Sequence, residues 1–372
     1  MALSETELAA LPVLIAAFTA AMLVSLVLVP LAIRLAGPLG VIDQPGAARR
    51  VHSVPIPRSG GLAVVGAFIA VAAAGSALGW PPQSPLALFS GDRVTLVLGG
   101  AVALLLGMAD DRYQLRARWQ LLGQVALAIG VVALGLSVDF INNPIGDGVI
   151  AFAGPLAVAV TVLWIVGMIN SINFIDGLDG LSAGIGLIAA LTLGVISLTR
   201  GIAQPAVGLL CFALAGALAG FLRWNFHPAR VFLGTGGVMF LGYALAVLAI
   251  MGTAKVAVAL LVLGVPIIDA FWIIVRRIAA GSSPFTPDRR HIHHRLLDLG
   301  LEHRQAVLLI YAICGVLAIL ALVLSGTGQL YAFVGIGATF GLVLFLLTRR
   351  ALGPSELSRG AGAPDEEHSE PG

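Results

Sequence analysis

The chain has 372 residues, of which 59% are hydrophobic and only 11% are charged, and its formal net charge is +2. Soluble domains average about 25% charged residues, so this composition excludes an ordinary soluble globule, and 46 glycines without a regular period exclude a fibrous chain. The apolar content suffices for about ten spans of roughly 20 residues, which predicts an all-α, polytopic membrane protein.

Apolar runs separated by polar breaks predict about eleven transmembrane helices. In chain order these runs fall at about residues 10–33, 60–79, 94–109, 119–137, 151–169, 181–199, 205–222, 236–253, 255–275, 305–325 and 329–348. We expect residues 1–350 to form a single transmembrane domain. Residues 351–372 are rich in Pro, Gly, Ser and Glu, and we expect them to be a disordered tail.

The basic residues predict the orientation of these spans. With the N-terminus outside, 18 of the 21 Lys and Arg residues fall in inward-facing segments, and Arg93, Arg200 and Lys255 are the exceptions. The positive-inside rule therefore predicts an outer N-terminus and a cytosolic C-terminus. Aspartates also gather at this inner face, which the rule makes basic, so we expect the functional site there. These aspartates are Asp43, Asp110, Asp111, Asp176, Asp179, Asp269 and Asp288.

Asp110 and Asp111 close the third predicted span. Two adjacent carboxylates at the C-terminus of a helix oppose the helix dipole and repel each other by about 1–4 kcal/mol at ~4 Å. One interpretation is a solvated pair with the following arginines as counter-ions. The other is a pair that meets a divalent metal or accepts a proton.

Polar side chains recur at every third residue from Asn170 to Asp179, at the inner end of the fifth span. A plain polar loop does not explain two amides and two acids in register. Amide and carboxylate oxygens at the membrane edge suit a hard cation such as Mg²⁺, bound chiefly through the phosphates of a substrate.

His291, His293 and His294 lie within four residues of one another, next to Arg295. A solvated basic loop would account for the arginines but not for three histidines. A zinc site is disfavoured because the run has no cysteine nearby and lacks the usual tetrahedral spacing. Arg and His donors that face acids instead predict a clamp for a polyanion.

Together these segments resemble the polyprenyl-phosphate N-acetylhexosamine-1-phosphate transferases over about residues 10–350. The resemblance is carried by the Asp110-Asp111 pair with Arg118 seven residues after Asp111, by the Asn170–Gly180 run, and by His291-Ile292-His293-His294-Arg295-Leu296. The Pro55–Gly61 loop, Pro-Ile-Pro-Arg-Ser-Gly-Gly, favours the branch that uses UDP-N-acetylglucosamine and undecaprenyl phosphate.

The resemblance implies transfer of N-acetylglucosamine 1-phosphate, or of a related N-acetylhexosamine 1-phosphate, from a UDP-sugar to undecaprenyl phosphate with release of UMP. The product would start the synthesis of a cell-envelope polysaccharide. The family implies a site on the cytosolic face of the bacterial inner membrane, Mg²⁺ or Mn²⁺ as cofactor, and no nucleic acid partner. A homodimer is left open.

The resemblance also assigns roles to single residues. Asp110, Asp111 and Asp176 would be catalytic, and Asn173 would help to hold the metal. Substrate would be bound by Arg118, Asp179, Phe232, His291, His293, His294 and Arg295.

One position departs from the family pattern. Thr235 stands in Gly234-Thr235-Gly236-Gly237, where the family has a metal-binding aspartate, so its hydroxyl would be a weaker metal ligand. This departure keeps open a catalytically weak or silent homologue that binds lipid or nucleotide. A secondary transporter is the third hypothesis, disfavoured because transporters place their ionisable groups near the bilayer midplane and here they lie at one face.

Overall fold

The computed structural model describes residues 5–44, 54–79, 91–143, 148–199, 204–252, 256–279, 281, 291–324 and 328–339. The described chain is almost entirely helical. The helices are α1 Glu5–Leu39, α2 Gly60–Ala77, α3 Asp92–Tyr113, α4 Ala117–Ala133, α5 Pro155–Ile175, α6 Leu181–Thr199, α7 Pro205–Asn225, α8 Gly234–Met251, α9 Val256–Val262, α10 Gly264–Ala279, α11 Ile292–Asp298 and α12 His303–Val323. Residues 328–339 are also helical.

Two small antiparallel hairpins join helices. The first pairs β1 Ile42–Asp43 with β2 Ile56–Pro57, and the second pairs β3 Phe140–Asn142 with β4 Val149–Ala151. Neither is large enough to form a core, so the prediction of an all-α membrane protein is confirmed.

Eight of the described helices are long and apolar enough to cross a membrane, namely α1, α2, α3, α5, α6, α7, α8 and α12. The predicted run at 255–275 is broken: α9 and α10 meet at 78°, so together they are one bent span or a re-entrant segment. The run at 119–137 corresponds to the shorter helix α4, and the run at 329–348 extends beyond the described residues. The count of eleven and the orientation remain predictions.

Helix α8 lies at the centre of the bundle, where it packs against α2, α3 and α5 and has nearly all of its side chains buried. Glycines let its first turn approach its neighbours closely. A Cβ atom at Gly107 of α3 would collide with the backbone of Gly236, and one at Gly61 of α2 would collide with Gly237. Small residues at such crossings allow helix backbones in membranes to come together. The first turn of α8 therefore lies directly against the end of α3 that carries the paired aspartates.

Candidate active site

The aspartates predicted from separate segments meet at one end of the bundle, where α3 and α5 end and α2 and α8 begin. Asp111 of α3 contacts Arg58, which precedes α2, and Thr235 of α8. Gly177, just after α5, lies against the ring of His293 in α11. We call this region the acidic end of the bundle.

Asp111 is held by three donors. Its side chain is fully buried and accepts hydrogen bonds from Thr235 Oγ1 at 2.9 Å, from Arg58 Nη1 at 3.2 Å and from the backbone N–H of Gly236 at 3.3 Å. Arg58 also approaches Asp43, with Nε 3.6 Å from Oδ1. A buried carboxylate needs such partners, because an unpaired charge away from water is costly. These bonds suit Asp111 to orienting Arg58.

Asp110 shares Thr235 and the charge of Arg58 with Asp111, but it also has partners of its own, because adjacent residues on a helix point about 100° apart. Its Oδ1 accepts the backbone N–H of Leu115 at 2.9 Å and Gln120 Nε2 at 2.6 Å. Between α3 and α4 the chain turns at Gln114, just before Leu115, and the φ of 50° at Gln114 is in the left-handed region. Asp110 therefore fixes the turn from α3 to α4, while Thr235 links it to Asp111.

Asp176 stands at the point where α5 ends, and its Oδ1 accepts a hydrogen bond from the Ser182 hydroxyl. The residue keeps contact with solvent, but protein atoms crowd its carboxylate. This partial desolvation raises the pKa of Asp176 to about 6. The hydrogen bond from Ser182 and the positive charge of Arg58 act in the opposite direction but offset the rise only in part. Asp176 is thus an acid that titrates close to neutral pH.

The residues best suited to hold a metal ion are Asn173 and Asp176. Among the described residues, Ser182 is the only hydrogen-bond partner of the Asp176 carboxylate, and the Asn173 side chain has none. Free carboxylate and amide oxygens fit Mg²⁺, which takes one or two protein ligands and completes its shell with water and substrate phosphates. Thr235 instead donates its hydroxyl proton to Asp111, and its predicted role as a ligand stays untested.

Asp179 lies in a hydrogen-bonded cluster with two histidines. Its Oδ2 accepts from His227 Nδ1 at 2.8 Å and from the backbone N–H of Ala229 at 3.0 Å, and its own N–H donates to His303 Nε2 at 2.9 Å. The three side chains have the composition of a metal site. However, the two imidazole rings stack at 4.1 Å and 19°, and a metal lies in the plane of each imidazole it binds. Both rings could not bind one ion without rotating, so the cluster orients Asp179.

The histidine run lies over the end of α5. The His291 ring is 5.7 Å from Phe174, 5.5 Å from His293, and His293 in turn is 4.3 Å from His294. His293 is buried, and its Nδ1 has no hydrogen-bond partner within the described chain. Burial lowers the pKa of His293 well below its usual value, so this ring is neutral at neutral pH. His293 therefore contributes no charge to the polyanion clamp predicted for this run.

Arg118 and Phe232, both predicted to bind substrate, make no side-chain contact that ties them to the acids of the site among the contacts described here. Arg118 is exposed in the first turn of α4, with its guanidinium 5.5 Å from the Trp119 ring centroid, and among the described residues it contacts none of the acids. Phe232 is half-buried beside β2, where its N–H donates to Pro57 and its carbonyl accepts from Gly60. Their predicted roles in binding substrate stay predictions.

Several residues of the acidic end were not predicted as site residues. Arg58 lies in the Pro55–Gly61 loop, which the sequence marked only as a whole, and Asp269 was visible as a charge inside a predicted span. His227 and His303 gave no local signal, because only the fold brings them to Asp179.

Comparison with known proteins gives consistent similarities. The model of glycosyl transferase family 4 matches residues 93–253, from α3 to the end of α8. The chain is 38% identical to a probable undecaprenyl-phosphate N-acetylglucosaminyl 1-phosphate transferase of Bacillus subtilis, over 90% of each chain. It is 34% identical to a decaprenyl-phosphate N-acetylglucosaminephosphotransferase of Mycolicibacterium smegmatis, over 82% of this chain and 81% of that one. It is 28% identical to an undecaprenyl-phosphate alpha-N-acetylglucosaminyl 1-phosphate transferase of Yersinia pestis, over 77% of each.

Proposed function

The chain belongs to glycosyl transferase family 4, and on this basis we propose that it transfers N-acetylglucosamine 1-phosphate from UDP-N-acetylglucosamine to undecaprenyl phosphate, with release of UMP. The observation that supports this best is the meeting of Asp111, Arg58, Asp176 and the histidine run at one end of a bundle of membrane helices. That arrangement offers oxygen ligands, cations and an ionisable acid beside lipid-accessible helices.

The reaction is a phosphoryl transfer in one displacement. An oxygen of the lipid phosphate attacks the phosphorus that carries the sugar. The bond from that phosphorus to the bridging oxygen breaks, and its electron pair leaves with UMP. Mg²⁺, when bound, neutralises charge on the donor's diphosphate, which otherwise would repel the incoming phosphate. The cationic side chains of Arg58 and Arg295 act in the same sense.

Asp176 is the residue best suited to accept a proton from the acceptor. In the metal-free site its pKa of about 6 matches the second pKa of a phosphate monoester, which is also near 6, so a proton passes between them at little cost before Mg²⁺ binds. Asp111 is already held by three donors, which favours a positioning role for it. A phosphorylated enzyme trapped with labelled donor would instead indicate attack by Asp176 and two displacements.

We place the reaction on the cytoplasmic side of the bacterial inner membrane. The support is the charge pattern, since the acidic end coincides with the segments that carry most of the arginines. The donor nucleotide is also a cytoplasmic metabolite class, whereas the acceptor is confined to the bilayer.

The test is UMP release by the purified protein in detergent, with UDP-N-acetylglucosamine and undecaprenyl phosphate, in Mg²⁺ or EDTA. We expect release that needs both the lipid and the metal, and that is lost in Asp176→Asn. Asp298→Asn removes an exposed acid at the end of α11 and is the matched control, which should keep wild-type activity. Donor binding without UMP release would reject the proposal and favour a silent homologue or another sugar.

A further inference from the structure

Asp269 is a buried acid whose role the proposed reaction does not assign. It lies in α10 with 1% of its surface exposed, and it shares the buried side of that helix with Val265, Pro266 and Ile273. A carboxylate among apolar side chains is costly unless both of its oxygens have partners. The partners of Asp269 therefore identify its role.

Both partners come from the start of the histidine run. His291 Nδ1 donates to Asp269 Oδ2 at 2.8 Å, and the backbone N–H of Ile292 donates to Oδ1 at 3.0 Å. Each oxygen thus takes one donor, and the two bonds join α10 to residues 22 and 23 positions after Asp269 in the chain. The carboxylate holds both the His291 ring and the beginning of α11.

The same contacts determine which nitrogen of His291 is free. Because Nδ1 carries the proton shared with Asp269, Nε2 is the nitrogen that can meet a ligand, and it has no hydrogen-bond partner among the described residues. Phe174 and His293 flank the ring, so it has little freedom to turn. Within the described part of the chain, the ionisable groups that face it are Asp269 and the neutral His293. The side chain remains 9% exposed, which leaves a narrow approach.

We propose that Asp269 is a positioning residue for His291, which it fixes with Nε2 directed at the bound UDP-sugar as a hydrogen-bond acceptor for one of its O–H or N–H groups. This inference rests on the proposed function, but it concerns a residue that lies outside the segment matched by the family model. A carboxylate behind a functional histidine sets the ring orientation and tautomer, and loss of such a partner commonly costs 10–100-fold.

The kinetic test is a double-mutant cycle on UMP release with Asp269→Asn, His291→Ala and the double variant. Asparagine keeps the acceptor for Ile292 but donates to Nδ1, which moves the ring proton to Nε2. We expect kcat/KM for the UDP-sugar to fall about 10–100-fold in Asp269→Asn. The double variant should be no worse than His291→Ala alone, since a residue that acts through another adds nothing once the other is gone. Losses that multiply, or a fully active Asp269→Asn, would overturn the proposal.

Two further measurements keep the test decisive. If Asp269→Asn does not fold, as judged by its melting temperature in detergent, the same cycle is run with Asp269→Glu, which retains the carboxylate. The ¹⁵N spectrum of histidine-labelled protein, with the His291 signal assigned by its loss in His291→Ala, should show an Nδ1 proton in the wild type and an Nε2 proton in Asp269→Asn. An unchanged tautomer in Asp269→Asn would refute the inference, and this readout does not require activity. Absence of UMP release by the wild type would count only against the proposed function.

Discussion

Asp176 couples the stability of the protein to the ionisation that the reaction uses. Crowding by protein atoms disfavours its charged form and raises its pKa to about 6, above the value of about 3.9 for an aspartate in an unfolded chain. A group whose pKa is raised on folding favours the folded state below its unfolded pKa, and this contribution is lost as the pH rises through the folded value. The ionised Asp176 is therefore a destabilising feature that activity requires.

We expect Asp176→Asn to raise the melting temperature in detergent while it removes activity. Asparagine keeps an acceptor for Ser182 and carries no charge, so the gain over wild type should be larger near pH 8 than near pH 5. The difference between variant and wild type at each pH removes the contribution of other titrating groups. An equal gain at both pH values, or none, would contradict the desolvation of Asp176.

Thr235 offers a second test at the residue scale, because its hydroxyl donates to a carboxylate that is fully buried. Thr235→Val removes this donor while it keeps the shape, and Thr235→Ser keeps the donor. We expect the valine variant to lose about 1 kcal/mol of stability, since Asp111 retains two donors, and the serine variant to lose less. Melting temperatures and UMP release of the two variants provide the check; equal effects would show that the hydroxyl is unimportant.

The sequence could predict which acids matter but not how they are held. Asp110, Asp111 and Asp176 stand out because they are acids on the face that the positive-inside rule makes basic. That Asp111 is buried against Thr235 while Asp110 anchors a turn depends on the approach of α8 to α3, which no local pattern encodes. The proximity of His227 and His303 to Asp179 has the same origin.

At the scale of elements, hydropathy located the helices because each apolar run is bounded by polar or glycine-rich segments. It did not predict the 78° break between α9 and α10, because the run from 255 to 275 is apolar apart from Lys255 at its start and Asp269. The signal was present in Gly264 and Pro266, which begin α10, since proline favours the first turn of a helix and disrupts the preceding one. The break matters because it carries Asp269 to the histidine run.

The crossing of α3 and α8 yields a prediction about packing. Gly107→Ala would place a methyl group against the backbone of Gly236, which has no flexible side chain to move aside. We expect α3 to shift away from α8, a loss of about 1–3 kcal/mol from overpacking, and reduced UMP release as Asp111 separates from Thr235. Gly130→Ala in α4 is the control: nothing lies within 4 Å of its added Cβ, and alanine favours a helix, so its melting temperature should stay equal or rise. Similar losses in both variants would exclude a specific effect of the crossing.

At the scale of the whole molecule, the orientation depends on whether α4 crosses the membrane. Its 17 residues extend about 26 Å, slightly less than the ~30 Å hydrocarbon core, so it can cross where the bilayer thins or flanking residues contribute. If it crosses, the arginines around the junction of α3 and α4, namely Arg112, Arg116 and Arg118, lie on one side of the membrane. The β3–β4 hairpin then lies on the other side. The positive-inside rule then makes the arginine side cytoplasmic.

Cysteine labelling tests this arrangement directly. Cys211 and Cys314 are buried within α7 and α12, so wild-type protein should not react with a membrane-impermeant maleimide and is the blank. Asp139→Cys, exposed just before β3, should be labelled in intact spheroplasts, because this segment faces outward in the predicted topology. Asp298→Cys, exposed after α11, should be labelled only once the membrane is opened. The reverse pattern would place the acidic end outside, away from cytoplasmic UDP-sugar. Labelling of both positions in intact spheroplasts, or of neither, would mean that they lie on the same side and that α4 does not separate the two faces.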